Sequence, residues 1–147
     1  MKISVPHERD REGWLRLRLA LWPTDDPDSY LGEMRGMQQR PDQWAAFVCV
    51  DENEQVVGFA EVSMRERLES IEREQVGHLE GWYVDPRYRR RGIGRLLVDA
   101  AAGWVQGQGS DILHSDAELD NLLSHRAHRA VGFVETHREV LFRRSLK

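Results

Sequence analysis

The 147-residue chain predicts an α/β fold, a mixed sheet with helices packed on it, from three observations. Ile93, Leu96, Leu97, Ala100, Ala101 and Trp104 fall at i, i+3, i+4, i+7, i+8 and i+11, one apolar face over about three helical turns. Apolar runs at 44–50 and 56–64 flank the turn Asp51-Glu52-Asn53-Glu54 and read as an antiparallel hairpin. Short strand-like runs alternate with helical stretches along the rest of the chain.

Taken in order, residues 3–5 form a short first strand. Trp14, Leu17 and Leu21 sit at helical spacing within 8–21, and Pro23 ends that helix. Pro27 and Asp28 open a second helix, with Tyr30, Leu31, Met34 and Met37 on one side and Pro41 as its stop. The hairpin follows. Residues 65–75 are so charged that they read as a solvated connection, and 76–84 as a further strand. Asp85-Pro86 breaks that strand ahead of an arginine-rich loop, and Gly107 and Gly109 close the helix begun at Ile93. Residues 112–115 make a short strand, 121–131 a helix closed by Gly132, and 134–144 a final pair of strands around 136–138. One domain over 1–147 is expected from this length.

The formal net charge of −4 disfavours bulk binding to nucleic acid. No stretch approaches the ~18–20 apolar residues of a membrane span, and no secretory leader is visible, so a cytoplasmic protein is expected. The lone Cys49 lies in an apolar run and reads as a buried, inert thiol. No metal-ligand spacing is present. Charge is unevenly placed. Arg87, Arg89, Arg90, Arg91 and Arg95 crowd together, while Asp25, Asp26, Asp28, Asp111, Asp116, Glu118 and Asp120 cluster elsewhere. That pattern implies an anionic ligand at the arginines and a cationic one at the acids.

The arginine knot has a context. The strand ending in Trp82-Tyr83-Val84 enters a loop containing Gly92 and Gly94, and the loop enters the amphipathic helix at Ile93. A helix N-terminus offers amides without intrahelical acceptors and a partial positive charge. Glycine lets a phosphate approach the backbone, and the arginines add permanent charge. Together these describe a diphosphate site; the plain alternative is a solvated basic turn ahead of an ordinary helix.

Arg89-x-x-Gly92-x-Gly94 resembles the acetyl-CoA pyrophosphate motif of the GNAT N-acetyltransferases. The resemblance implies a mostly antiparallel six- to seven-stranded sheet splayed into a V, flanked by about four helices. It implies that backbone amides from Arg90 through Arg91, Gly92, Ile93 and Gly94 to Arg95 hold the pyrophosphate, and that Trp82, Tyr83 and Val84 pair with the pantetheine arm as an added strand. Asn121-x-x-Ser124-x-x-x-His128-x-x-x-Gly132-Phe133 resembles a second family motif, in which the asparagine contacts pantetheine and a tyrosine protonates the leaving thiolate. Here His128 replaces the tyrosine; it either donates that proton or merely packs.

Within the family the chain is similar to the aminoglycoside 6′-N-acetyltransferases. Leu21-Trp22-Pro23 with the acids after it, His78-Leu79-Glu80-Gly81, Ser115-Asp116 and the stretch 128–138 carry that likeness. The implied acceptor is a polycation, for which Glu80, Asp116 and Asp26 are candidate carboxylates, Trp22 a candidate stacking face and His137 a candidate contact. The simpler readings are that Trp22 is a core residue, that Asp26 belongs to a solvated helix start and that Glu80 faces solvent. The stretch 65–75, with Leu68-Glu69-Ser70-Ile71 in it, holds no aromatic where the likeness leads one to expect it. An ammonium cannot attack a thioester, so a carboxylate must take its proton: Glu80 is the first candidate and Asp116 the second. Direct attack in a ternary complex follows, with amides near 82–84 meeting the developing oxyanion. The rivals are a GNAT enzyme for another small amine, polyamine or peptide N-terminus, and a non-catalytic acyl-CoA-binding module. The resemblance also suggests a homodimer, with Val140-Leu141-Phe142 at its interface.

Overall fold

The computed structural model describes residues 1–67 and 74–147. The chain divides into two compact units, Met1–Ser115 and Asp116–Lys147.

The first unit holds β1 (Lys2–Ser4), α1 (Arg11–Leu21), α2 (Pro27–Gln38), β2 (Trp44–Val50), β3 (Val56–Arg67), β4 (Glu74–Val84), α3 (Ile93–Gly107) and β5 (Leu113–Ser115). The strands form one sheet in sequence order, antiparallel from β1 to β4, with β5 added parallel to β4. Local chemistry sets several boundaries. Pro27 sits in the first turn of α2, where a missing N–H costs nothing, and Asp26 caps that turn by accepting from the Ser29 amide. Asp51 accepts from the amides of Asn53 and Gln55, which builds the β2–β3 turn around the left-handed Glu54, φ 61°.

Strand alternation sorts the two faces of the sheet. Phe59 and Val48 pack with Trp14 and Leu17 of α1 and Met34 and Met37 of α2. The opposite face belongs to α3: Ile93, Leu97 and Ala101 of the predicted stripe are buried there with Val98 and Val105, whereas Leu96 of that stripe is exposed. α3 lies close enough that a Cβ on Gly58 would stand 3.0 Å from Leu97, and one on Gly77 only 2.3 Å from Val105. Cys49 is fully buried, as expected, and burial pushes its thiol pKa up.

Two expectations need correction. Residues 65–75 are not a connection throughout: β3 continues to Arg67 and β4 starts at Glu74, with Arg65↔Val76 and Arg67↔Glu74 in register. Cross-strand pairing holds these charged residues extended, which hydropathy alone does not reveal. The sheet has five strands among the described residues rather than six or seven. The expected pair in 134–144 carries no strand. A strand exists only where its N–H and C=O groups pair with another strand, a condition that hydropathy read along the chain does not report. Val134, Val140, Leu141 and Phe142 are largely exposed.

The second unit contains α4 (Leu122–Ala130), capped by Asn121, whose Oδ1 accepts from the Ser124 amide at 3.1 Å. No helix of the described residues is long and apolar enough to cross a membrane.

Candidate active site

β4 is bulged at Glu80. Gly81 opposes Glu61 on β3 and Leu79 opposes Val62, so Glu80 is the extra residue between them. A bulge places two successive side chains on one face. Glu80 and Gly81 both turn toward the α1/α2 face: Glu80 meets Ser63 and Arg65, and Gly81 lies under Trp22. Ser63 Oγ donates to Glu80 Oε1 at 2.6 Å. Arg65 spans both oxygens, Nε to Oε1 at 2.8 Å and Nη2 to Oε2 at 2.7 Å. Glu80 thus stands in a fork of donors, partly open to solvent.

Trp22 closes the neighbouring ground. A Cβ on Gly81 would stand 2.4 Å from Trp22 Cη2, and Phe59 meets the ring edge-on at 6.1 Å. Arg18 lies 5.1 Å from the ring centroid, and Tyr30 donates its hydroxyl to Trp22 O at 2.7 Å. Much of the ring is therefore packed. Arg18 itself is held by Glu61: Nη2 donates to Oε1 at 3.2 Å, while Nε lies 2.9 Å from Oε2 but off the hydrogen-bond direction. Trp14 Nε1 donates to Glu61 Oε2 at 2.9 Å, and Arg18 reaches Glu33 of α2 at 2.9 Å. Burial pushes the Glu61 pKa up, and the Arg18 charge opposes that shift.

On the α3 side, Arg90 (φ 64°) and Gly92 (φ 79°) are both left-handed. Alternating hands turn successive amides inward as an anion-binding nest. Leu96 is the first residue whose amide closes onto Gly92 O, so Ile93, Gly94 and Arg95 present the open first turn of α3, which carries no acidic residue. Space beside Gly92 is clear, with nothing within 4 Å of where a Cβ would stand. Gly94 has a different reason to be glycine: Trp82 Nε1 donates to its carbonyl at 3.1 Å, and a Cβ there would meet the indole at 3.1 Å.

The loop is braced from behind. Asp85 accepts from the Arg87 amide and pairs with its guanidinium at 2.9 Å, which, led by the Arg87 hydrogen bond, holds the carboxyl below its ordinary pKa. Tyr88 donates to Asp51 at 3.0 Å under the guanidinium of Arg91, 5.2 Å from its ring. Arg89 donates to Val84 O at 2.9 Å and lies over Tyr83. The β4–β5 ladder ends at Leu79↔Ser115, short of Trp82–Val84.

Asp116, Asn121, His128 and His137 belong to the second unit. His128 Nδ1 lies 2.7 Å from Ser124 O, which only accepts, so Nδ1 carries a proton; the neutral ring then offers Nε2 as an acceptor, and an acid role requires the imidazolium. Its ring meets Phe133 edge-on. His137 is exposed beside Glu139. Asn121 spends its side-chain carbonyl on the α4 cap.

The model of the GNAT acetyltransferase family matches residues 11–133, across the cradle and into α4. The chain belongs to the GNAT acetyltransferases. Its relatives narrow the likeness. The aminoglycoside N(6′)-acetyltransferase type 1 of Stenotrophomonas maltophilia is 41% identical over 94% of this chain and 89% of its own length. The crystal structure of an aminoglycoside antibiotic 6′-N-acetyltransferase from Acinetobacter haemolyticus matches with TM-score 0.89 and 33% identity, covering all of both chains. AAC(6′)-Iy in complex with the bisubstrate analogue CoA-S-monomethyl-acetylneamine matches with TM-score 0.88 and 30% identity over 98% of this chain and 97% of that one.

As a GNAT enzyme the chain uses acetyl-CoA, and the cradle fits it: two left-handed residues, a helix start without acids and clear space at Gly92 suit a diphosphate. Sequence reasoning missed Ser63 and Arg65, whose period-2 spacing runs on beyond the apolar part of the strand. It also missed Arg18, whose position four residues after Trp14, on the apolar stripe, marks it as a buried cation. The stretch 68–71 lies outside the described residues.

Proposed function

We propose that this GNAT enzyme acetylates the 6′-amine of an aminoglycoside and so confers antibiotic resistance. The observation that carries this is Glu80, delivered by a bulge beside the acetyl-CoA edge of β4, in a chain 41% identical to an aminoglycoside N(6′)-acetyltransferase. Acetyl-CoA supplies an activated acetyl thioester. Amides of 90–95 hold its pyrophosphate, with Arg89 and Arg91 fixing the loop, and the open edge of Trp82, Tyr83 and Val84 receives the pantetheine; the short β4–β5 ladder is the start of the V. Glu80 takes the acceptor's proton, with Asp116 as the second carboxylate, and the freed amine attacks directly. Asn121 lies along the pantetheine, and His128, as imidazolium, returns a proton to the thiolate. Trp22, Asp26 and His137 border the acceptor. The family model crosses the boundary between the two units, which supports one domain over 1–147. Dependence on acetyl-CoA supports a cytoplasmic location, and the exposed Val140, Leu141 and Phe142 support a homodimer.

CoA release with kanamycin and tobramycin, set against spermidine and a peptide panel, tests the acceptor. Turnover with the two drugs and none with the others is expected; the reverse overturns the reading. Gly92→Glu should weaken acetyl-CoA binding about tenfold or more by crowding and repelling the pyrophosphate, as calorimetry would read.

A further inference from the structure

Arg65 does something that the reaction does not ask for. A base that accepts a proton from a cationic amine needs a carboxylate edge to offer, yet both oxygens of Glu80 face the Arg65 fork at 2.8 and 2.7 Å, and Ser63 takes a further position on Oε1. A carboxylate has about four acceptor sites, so three donors leave little for a fourth. The pairing is also unlike a structural one. The Arg65 side chain is 52% exposed and Glu80 19%. Arg65 sits near the far end of β3, where a long, rotatable side chain can swing into water without disturbing the sheet. Ser63, by contrast, is buried and stays.

We propose that Arg65 is a competing internal cation: it occupies the Glu80 carboxylate until the acceptor's ammonium displaces it, while Ser63 keeps the carboxylate aimed throughout. This rests on Glu80 being the base of the proposed function. Guanidinium and ammonium cannot share one carboxylate edge without repulsion, so acceptor binding and release of Arg65 are one event. An acceptor with several further charges for the rest of the site completes the exchange; a small monocation does not.

Two measurements on the full chain decide it. Arg65→Ala should lower the KM for kanamycin about two- to fivefold, the range expected for losing a half-exposed ion pair, with kcat within twofold and the KM for acetyl-CoA unmoved. A KM that is unchanged or raised, or a kcat that falls tenfold, overturns the proposal; the latter makes Arg65 a positioning residue instead. In the CoA-bound enzyme, the Arg65 Nε–H resonance, assigned by its loss in Arg65→Ala, should shift to the free-arginine position as kanamycin saturates the site. If the wild type releases no CoA with kanamycin, the functional reading fails on its own terms. The same resonance titrated with spermine then judges Arg65, and a signal unmoved at saturating polycation refutes displacement.

Discussion

β3 carries two carboxylate–guanidinium pairs along one face, and they differ in almost everything except chemistry. At Glu61 the pair is sealed: its side chain is 2% exposed, that of Arg18 5%, and Trp14 and Glu33 complete the network. Two to four residues along, the buried Ser63 and the half-exposed Arg65 hold Glu80 at the rim. A buried pair has no water to fall back on, so each partner is obligatory. A rim pair exchanges freely with water and other ions. The same bond is a rivet between α1, α2 and β3 in one place and an exchangeable contact in the other. Burial, not residue type, makes the difference.

The largest expected effect breaks the rivet. Arg18→Met strands Glu61 and should cost about 3–5 kcal/mol in urea unfolding, and adding Glu61→Leu should recover part of it. The defect carries a pH signature. Burial raises the folded pKa of Glu61, and loss of the opposing Arg18 charge raises it further. Folding with a raised carboxyl pKa is stabilised below the unfolded value of about 4.3, and that stability is lost as pH rises through the folded pKa. Arg18→Met should therefore be closer to wild type at pH 5 than at pH 8; an equal gap at both would mean that Glu61 is not the cause.

Glu80→Gln tests the rim pair by function. Turnover should fall about 100-fold or more while acetyl-CoA affinity and thermal midpoint stay near wild type. Unchanged turnover removes Glu80 from the reaction. Gly81→Ala sits between the two pairs. Its Cβ must push the Trp22 ring aside, at a cost of about 1–3 kcal/mol, and the loss should shrink when Trp22→Leu makes room. Arg65→Met should be the mildest, under about 1 kcal/mol of stability. A larger loss would erase the contrast with Arg18.

Much of the site was legible because it rests on backbone. The amphipathic helix from Ile93, the glycines at its start and the break at Asp85-Pro86 are local matters, and local sequence states them directly. The sequence could also name Glu80 as a candidate carboxylate. It could not say that Glu80 is an extra residue in a bulge, since a bulge exists only against a partner strand. Nor could it find Arg65, whose charged surroundings look solvated until β4 pairs across from them.

The order of elements as far as α4, the sheet with helices on it and the glycine turn that opens α3 were thus legible in the sequence alone, through periodicity, capping and glycine placement. Tertiary structure alone decided which arginine is buried beside Glu61, which one faces Glu80, and that 134–144 carries no strand. These depend on contacts between residues far apart in sequence, and hydropathy read along a chain holds no record of such neighbours.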